Sequence, residues 1–231
     1  MKAKLISYSQ LPTEEVFGNK WISDATVQDL VAYCARVSNP SNQMNTETSE
    51  KLIRYLVKNK HWSPLEMVSV CMEIETTRDI ARQLLRHRSF SFQEFSQRYA
   101  DPTKDLEFVT REARLQDEKN RQNSIPTDDE TLKQLWDTWQ RNVCDQALVA
   151  YKWAIENGIA KEQARSVLPE GLTMSRLYVN GTLRSWVHYI ELRSANGTQL
   201  EHIELAKACA EVISKIFPMI DEYVGKDITK N

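Results

Sequence analysis

The 231-residue chain is long enough for one large domain or two small ones with a proper core. Its 41% hydrophobic and 27% charged residues are ordinary for a globular protein, and a net charge of −2 excludes a general electrostatic pull toward nucleic acid or membrane. Cys34, Cys71, Cys144 and Cys209 are scattered without a CxxC pair, and no charged-then-apolar leader or bilayer-length apolar run occurs, so the expectation is a reduced, cytoplasmic protein.

In chain order, residues 26–37 place Val27, Leu30, Val31, Cys34 and Val37 at helical spacing and predict a helix. Residues 49–58 predict a second, opened by Ser49 with Glu50 in its first turn. The stretch 67–74, MVSVCMEI, is β-prone and almost unbroken in apolar residues, which predicts a buried strand. A helix from Thr76 and Thr77 to Leu85 follows, with Arg78, Arg82 and Arg86 recurring every four residues. Residues 101–129 are polar and aperiodic, with Pro102 and Pro126, and read as a long loop or lid. A long helix comes next, with Leu132, Leu135, Trp136, Trp139, Val143 and Ala147 on one face, ending before Gly158. Residues 160–168 form a short helix that Pro169 stops, 174–179 a strand, and 182–192 and 200–217 two more helices, with Pro218 closing the last. Helices dominate with a few strands between them, so the layout is α+β, a helix-rich single domain over residues 1–231.

The chemistry concentrates in the run Arg86-His87-Arg88-Ser89-Phe90-Ser91-Phe92-Gln93-Glu94-Phe95-Ser96-Gln97-Arg98. Guanidinium groups grip phosphate in a two-pronged, charge-assisted way, serine hydroxyls complete such a cradle, and the phenylalanines between them exclude water. The pattern predicts a pocket for a phosphorylated ligand. GxGxxG, P-loop and HExxH motifs are absent, so a nucleotide here binds without a Rossmann turn. His61, His87, His188 and His202 are too dispersed in sequence to argue for a zinc site, and no metal is expected. Arg165, Arg184 and Arg193 stand in apolar company, where an arginine commonly snorkels or pairs with a nearby glutamate. On a helix, Arg184, His188 and Glu191 share a face opposite Trp186 and Ile190. His61, in a loop before the strand, is ordinarily a surface or hydrogen-bonding residue.

Arg86-His87-Arg88, seven residues and then Ser96 resembles the RHR-x7-S signature of the flavin-dependent thymidylate synthases. Ala35-Arg36-Val37-Ser38, His61-x-x-Pro64, Ala81-Arg82-Gln83, Ser96-x-Arg98-Tyr99, Ala164-Arg165-x-x-Leu168-Pro169, and Leu183-Arg184-Ser185 through Leu192-Arg193 resemble further family blocks in family order. The resemblance implies methylation of dUMP to dTMP, with the carbon from 5,10-methylenetetrahydrofolate and the hydride from FAD reduced by NADPH, and without a cysteine nucleophile. It implies the family's mixed α/β fold, here with a small mixed or antiparallel sheet. It also implies a homotetramer with active sites formed where subunits meet. By the same resemblance, Gln83, Arg86, Glu94, Ser96, Gln97, Arg98, Arg165 and Arg193 contact dUMP, with Ser96, the Gln97 backbone and Arg98 on the phosphate and Arg193 on the uracil edge. Ser38, Ser63, Glu66, Arg86, His87, Arg88, Gln93, Glu94, Asn180, Arg184 and His188 contact FAD. Arg193 and His61 are the implied catalytic pair. The chain departs from the common family pattern at Met67 and Gly197, where many relatives carry histidine, at His188, a frequent asparagine, and by one extra residue in 180–184.

Two rival readings remain. One is a single-stranded nucleic-acid binder using the arginine/phenylalanine alternation of 86–98, against which stands the acidic net charge. The other is a catalytically silent relative that holds FAD or dUMP.

Overall fold

The computed structural model describes residues 1–11 and 25–225. Strand β1 (Lys2–Tyr8) leads to helices α1 (Val27–Ala35) and α2 (Ser49–Lys58). Strand β2 (Ser69–Thr77) runs directly into α3 (Arg78–Leu84), and an edge strand, β3 (Ser91–Glu94), lies inside the signature run. A single turn, α4 (Pro102–Asp105), and a hairpin of β4 (Arg114–Gln116) and β5 (Ser124–Pro126) precede the long α5 (Glu130–Glu156). The chain ends through α6 (Lys161–Ala164), β6 (Met174–Thr182), α7 (Leu183–Arg193) and α8 (Leu200–Ser214). None of the described helices is long and apolar enough to cross a membrane.

Local chemistry explains the joints. Asp29, in the first turn of α1, accepts from the Thr26 backbone N–H at 2.7 Å and from the Ser49 hydroxyl at 2.6 Å, so one carboxylate caps α1 and ties α2 to it. Helix α2 ends in a Schellman motif: Lys60 has φ of 60°, and the His61 N–H donates to the Leu56 carbonyl at 2.8 Å. That turn delivers His61, Trp62 and the tight 3₁₀ turn Ser63–Met67 to the start of β2.

The main sheet has order β1-β2-β6-β3, all antiparallel. Its inner face carries Val70, Met72 and Ile74 of β2 and Leu177 and Val179 of β6. These pack in one core with Trp186, Val187 and Ile190 of α7 and Leu205, Cys209 and Ile213 of α8. The outer face is polar: Arg176 donates to Glu75 at 2.6 Å and Tyr178 to Glu73 at 2.8 Å. At Gly181 an added Cβ would lie 2.3 Å from the Phe90 ring. Phe90 in turn packs at a tilt against Trp186, ring centroids 4.6 Å apart, which anchors the signature run in the core.

Several expectations need adjusting. Strands β1 and β3 add to the sheet on either edge. Helix α3 stops at Leu84, so Arg86 lies beyond the stripe of Arg78 and Arg82. The polar stretch before α5 is tied down: Arg111 pairs with Asp79 at 2.7 Å, and the Gln140 amide clasps the Arg111 backbone N–H at 2.8 Å and C=O at 2.9 Å. On α5, Gln140, Cys144, Ala147, Tyr151 and Ala154 face the chain, whereas Leu135, Trp136, Trp139 and Val143 are exposed, Trp139 to 65%. The predicted apolar face therefore exists but, apart from Ala147, points away from the molecule that carries it.

Candidate active site

Helix α7, leaving β6 through the Thr182 N-cap, presents Arg193 from its last turn. The Arg193 Nε–H donates to His87 Nε2 at 2.9 Å, which requires His87 to be neutral with its proton on Nδ1. Burial, then the Arg193 and Arg86 charges, lower the His87 pKa to about 4, so that state holds at neutral pH. Tyr189, one turn earlier, meets His87 edge-on at 5.1 Å and lies 5.7 Å from the His202 ring. Gln83 of α3 completes this knot, donating to Gln199 at 2.9 Å while its Oε1 faces His202 Nδ1 at 3.2 Å. Burial, Arg193 and His87 together lower the His202 pKa to about 3.

A second group forms around Glu94, at the end of β3. Its carboxylate accepts from Arg82 at 3.0 Å and from the Ser175 hydroxyl at 3.1 Å, with Arg78 3.7 Å away. A third joins Arg98 to Glu162 at 3.6 Å, and Arg165 donates to the Glu162 backbone carbonyl at 3.3 Å. Ser96 Oγ lies 3.4 Å from the Arg98 N–H, and buried Gln97 has an Nε2 without a hydrogen-bond partner. A fourth couples Arg184 to Glu66 and sets Trp62 edge-on to His188, ring centroids 4.3 Å apart. Burial and the Arg184 charge lower the His188 pKa. Asn180 is exposed on β6 opposite Ser91, with Gln93 exposed two residues further along β3. Ser38, His61 and Ser63 are exposed around the ends of α1 and α2, His61 edge-on to Tyr55.

His87 and Arg193 thus meet directly, Gln83 joins them through His202 and Tyr189, and Arg98 meets Arg165 through Glu162. Residues that sequence reasoning left out are Gln199, His202, Tyr189, Ser175 and Trp62. Gln199 follows Arg193 closely in the chain, but its role depends on Gln83, 116 residues away.

The donor set suits a flavin nucleotide and a nucleoside monophosphate. Among the described residues neither Arg86 nor Arg88 forms an ion pair and both are exposed, and Gln97, later in the same run, has a buried Nε2 without a partner. Two unneutralised guanidiniums and an orphaned donor are what phosphate and carbonyl oxygens satisfy. A cleft of about 630 Å³ adjoins these groups through Ser175 and Glu201, and is lined also by Glu75, Arg111, Arg114 and Arg176. The cleft's arginines are already neutralised, Arg111 by Asp79, Arg114 by Glu201 and Arg176 by Glu75, whereas Arg86 and Arg88 are not.

Comparison with known proteins agrees with this chemistry. The family model for the thymidylate synthase complementing protein matches residues 22–219. The probable flavin-dependent thymidylate synthase of Paramecium bursaria Chlorella virus 1 is 48% identical over 95% of this chain and 97% of its own. The flavin-dependent thymidylate synthase of Synechocystis is 48% identical over 84% of this chain and 87% of its own. Among solved structures, the UMP/dUMP methylase PolB of Streptomyces cacaoi, bound to 5-bromo-dUMP, superposes with a TM-score of 0.75 at 25% identity, covering 96% of this chain and 93% of that one. The chain belongs to the flavin-dependent thymidylate synthase family.

Proposed function

We propose that the chain converts dUMP to dTMP by reductive methylation, with 5,10-methylenetetrahydrofolate as carbon donor, FAD as the bound cofactor and NADPH as its reductant. The observation that carries this reading is the signature run itself, with exposed Arg86 and Arg88 flanking a His87 already locked to Arg193. Bound FAD supplies the hydride. The chain's residues position and neutralise. Arg86, Arg88, Arg184 and His188, with Ser38, Ser63, Glu66, Gln93 and Asn180, hold the flavin nucleotide. Arg98, Arg165, Ser96 and the Gln97 backbone take the dUMP phosphate, and Glu94, held by Arg82 and Ser175, accepts from a sugar hydroxyl. Arg193, fixed through Nε to His87, keeps its terminal N–H groups for the uracil edge, where it stabilises charge as it develops on the ring. His61 stands with them as the second catalytic candidate.

No protein nucleophile is needed. All four cysteine pKa values lie above the ordinary range, raised chiefly by burial, the reverse of an activated thiolate. The free thiols favour a reducing, cytoplasmic setting. We propose further that residues 1–231 act as one catalytic domain and assemble as a homotetramer with shared sites. Two features support this: the exposed apolar stripe of α5, and ligand-binding groups that lie on open surface rather than in a closed pocket.

The test is dTMP formation by the purified FAD-loaded protein with dUMP, the folate and NADPH. We expect turnover, and at least a hundredfold loss of kcat in Arg193→Ala with flavin retained, on the scale of removing one charge-stabilising donor, about 10²–10³. Full activity in Arg193→Ala refutes the uracil contact; absent dTMP with flavin bound refutes the function.

A further inference from the structure

Five side chains make an unbroken hydrogen-bonded chain from the hairpin ahead of α5, through the signature end of α3, to His202 of α8. Arg114 of β4 pairs with Glu201 at the start of α8, at 2.5 Å, with both side chains largely buried. The other Glu201 oxygen accepts from Gln199 Nε2 at 3.0 Å. Gln199 Oε1 accepts from Gln83 Nε2 at 2.9 Å, and Gln83 Oε1 meets His202 Nδ1 at 3.2 Å.

The order of donors and acceptors in this chain has one solution. A carboxylate held by arginine only accepts, so Gln199 must turn its NH₂ toward Glu201 and its carbonyl toward Gln83. Gln83 must then turn its NH₂ toward Gln199 and its carbonyl toward His202. His202 must carry its proton on Nδ1, which leaves Nε2 as a bare lone pair, and that atom is buried without a partner. A Gln83 amide donating one N–H to Gln199 keeps one N–H for a ligand. A carboxylate two amides away thus fixes the polarity that Gln83 shows the substrate.

We infer that Arg114, Glu201 and Gln199 are positioning residues that set Gln83 as a hydrogen-bond donor to an acceptor oxygen of the pyrimidine nucleotide. The inference rests on the reading of Gln83 as a dUMP contact. It gives the 101–129 stretch a role other than a lid: its hairpin delivers the arginine that orients the relay. With Glu201→Gln both ends of the relay become ambivalent, and the Gln199 and Gln83 amides are free to flip.

The experiment is a double-mutant cycle on FAD-loaded protein, reading the dUMP KM and kcat separately. Glu201→Gln is expected to raise the dUMP KM about tenfold, on the scale of one lost hydrogen bond to a ligand, with kcat changed less than threefold. Gln199→Met cuts the relay while leaving the Arg114–Glu201 pair intact, and is expected to do the same. It serves as the test if Glu201→Gln does not fold. In a Gln83→Ala background neither change is expected to have a further effect. An undiminished KM effect of Gln199→Met in that background overturns the relay while leaving dUMP binding by Gln83 standing. An unchanged KM in Gln83→Ala alone overturns the contact on which the relay is built.

Discussion

At the scale of single residues, the site is organised by two neutral histidines. His87 can accept from Arg193 only when uncharged, while His202 donates from Nδ1 to Gln83 and is held neutral by burial and the nearby Arg193 charge. Their pKa values, about 4 and about 3, lie below the 6.5 of an unstrained imidazole. In the unfolded chain each takes up a proton near 6.5, whereas the folded protein resists. Proton uptake therefore favours unfolding, and the stability that both contribute at neutral pH is lost as pH falls from 6.5 through about 4 and 3. Below the folded values both states are protonated and no further loss comes from these groups. His202→Asn keeps an N–H donor for Gln83 but removes the titration. Urea denaturation between pH 7.5 and 4 is expected to show a shallower decline for that variant than for the parent protein; identical slopes would mean that His202 is not held neutral by the fold.

At the scale of elements, α5 carries the sharpest demand. Its outward stripe of Leu135, Trp136, Trp139 and Val143 is flanked further along by exposed Val149 and Trp153. Burying one leucine-sized side chain is worth about 1.5–3 kcal/mol, so such a stripe strongly favours a covering surface. In the proposed homotetramer a second copy covers it. Replacing Leu135 and Trp139 together by glutamate is expected to give a lower-mass species in sedimentation analysis, with weakened flavin retention because the sites are shared. Parent protein that sediments as a monomer would contradict the assembly. The same helix shows how far sequence carries. Its periodicity placed the apolar residues on one face, yet periodicity reports only that a face is apolar, not which molecule covers it. Helix α2 was legible because Ser49, Glu50 and the apolar spacing agree locally. Strand β3 was not, because its residues read equally as a ligand run. It becomes a strand through pairing with β6, whose partner residue Asn180 is 89 positions from Ser91. Within the site, the signature residues were legible as chemistry. The Arg193–His87 bond spans 106 residues and the His202–Gln83 contact 119, and such pairings exist only after folding.

At the scale of the molecule, the sheet and the α7–α8 pair form one core, and the side chains proposed to bind ligands lie around it. Phe90 packs onto Gly181 and Trp186, so the run that carries Arg86 and Arg88 is fastened to the core at its centre while its charged ends stay at the surface. Arg86 and Arg88 are exposed and without ion-pair partners among the described residues, which leaves them open to an anion, and in the proposed function that anion is the flavin nucleotide beside dUMP. The most direct measurement is the visible spectrum of the protein after incubation with FAD and desalting, then after anaerobic addition of NADPH with and without dUMP. The account predicts a retained flavin band that NADPH bleaches at a rate that dUMP changes, which puts both nucleotides in one site. A protein that emerges from desalting without flavin would contradict it.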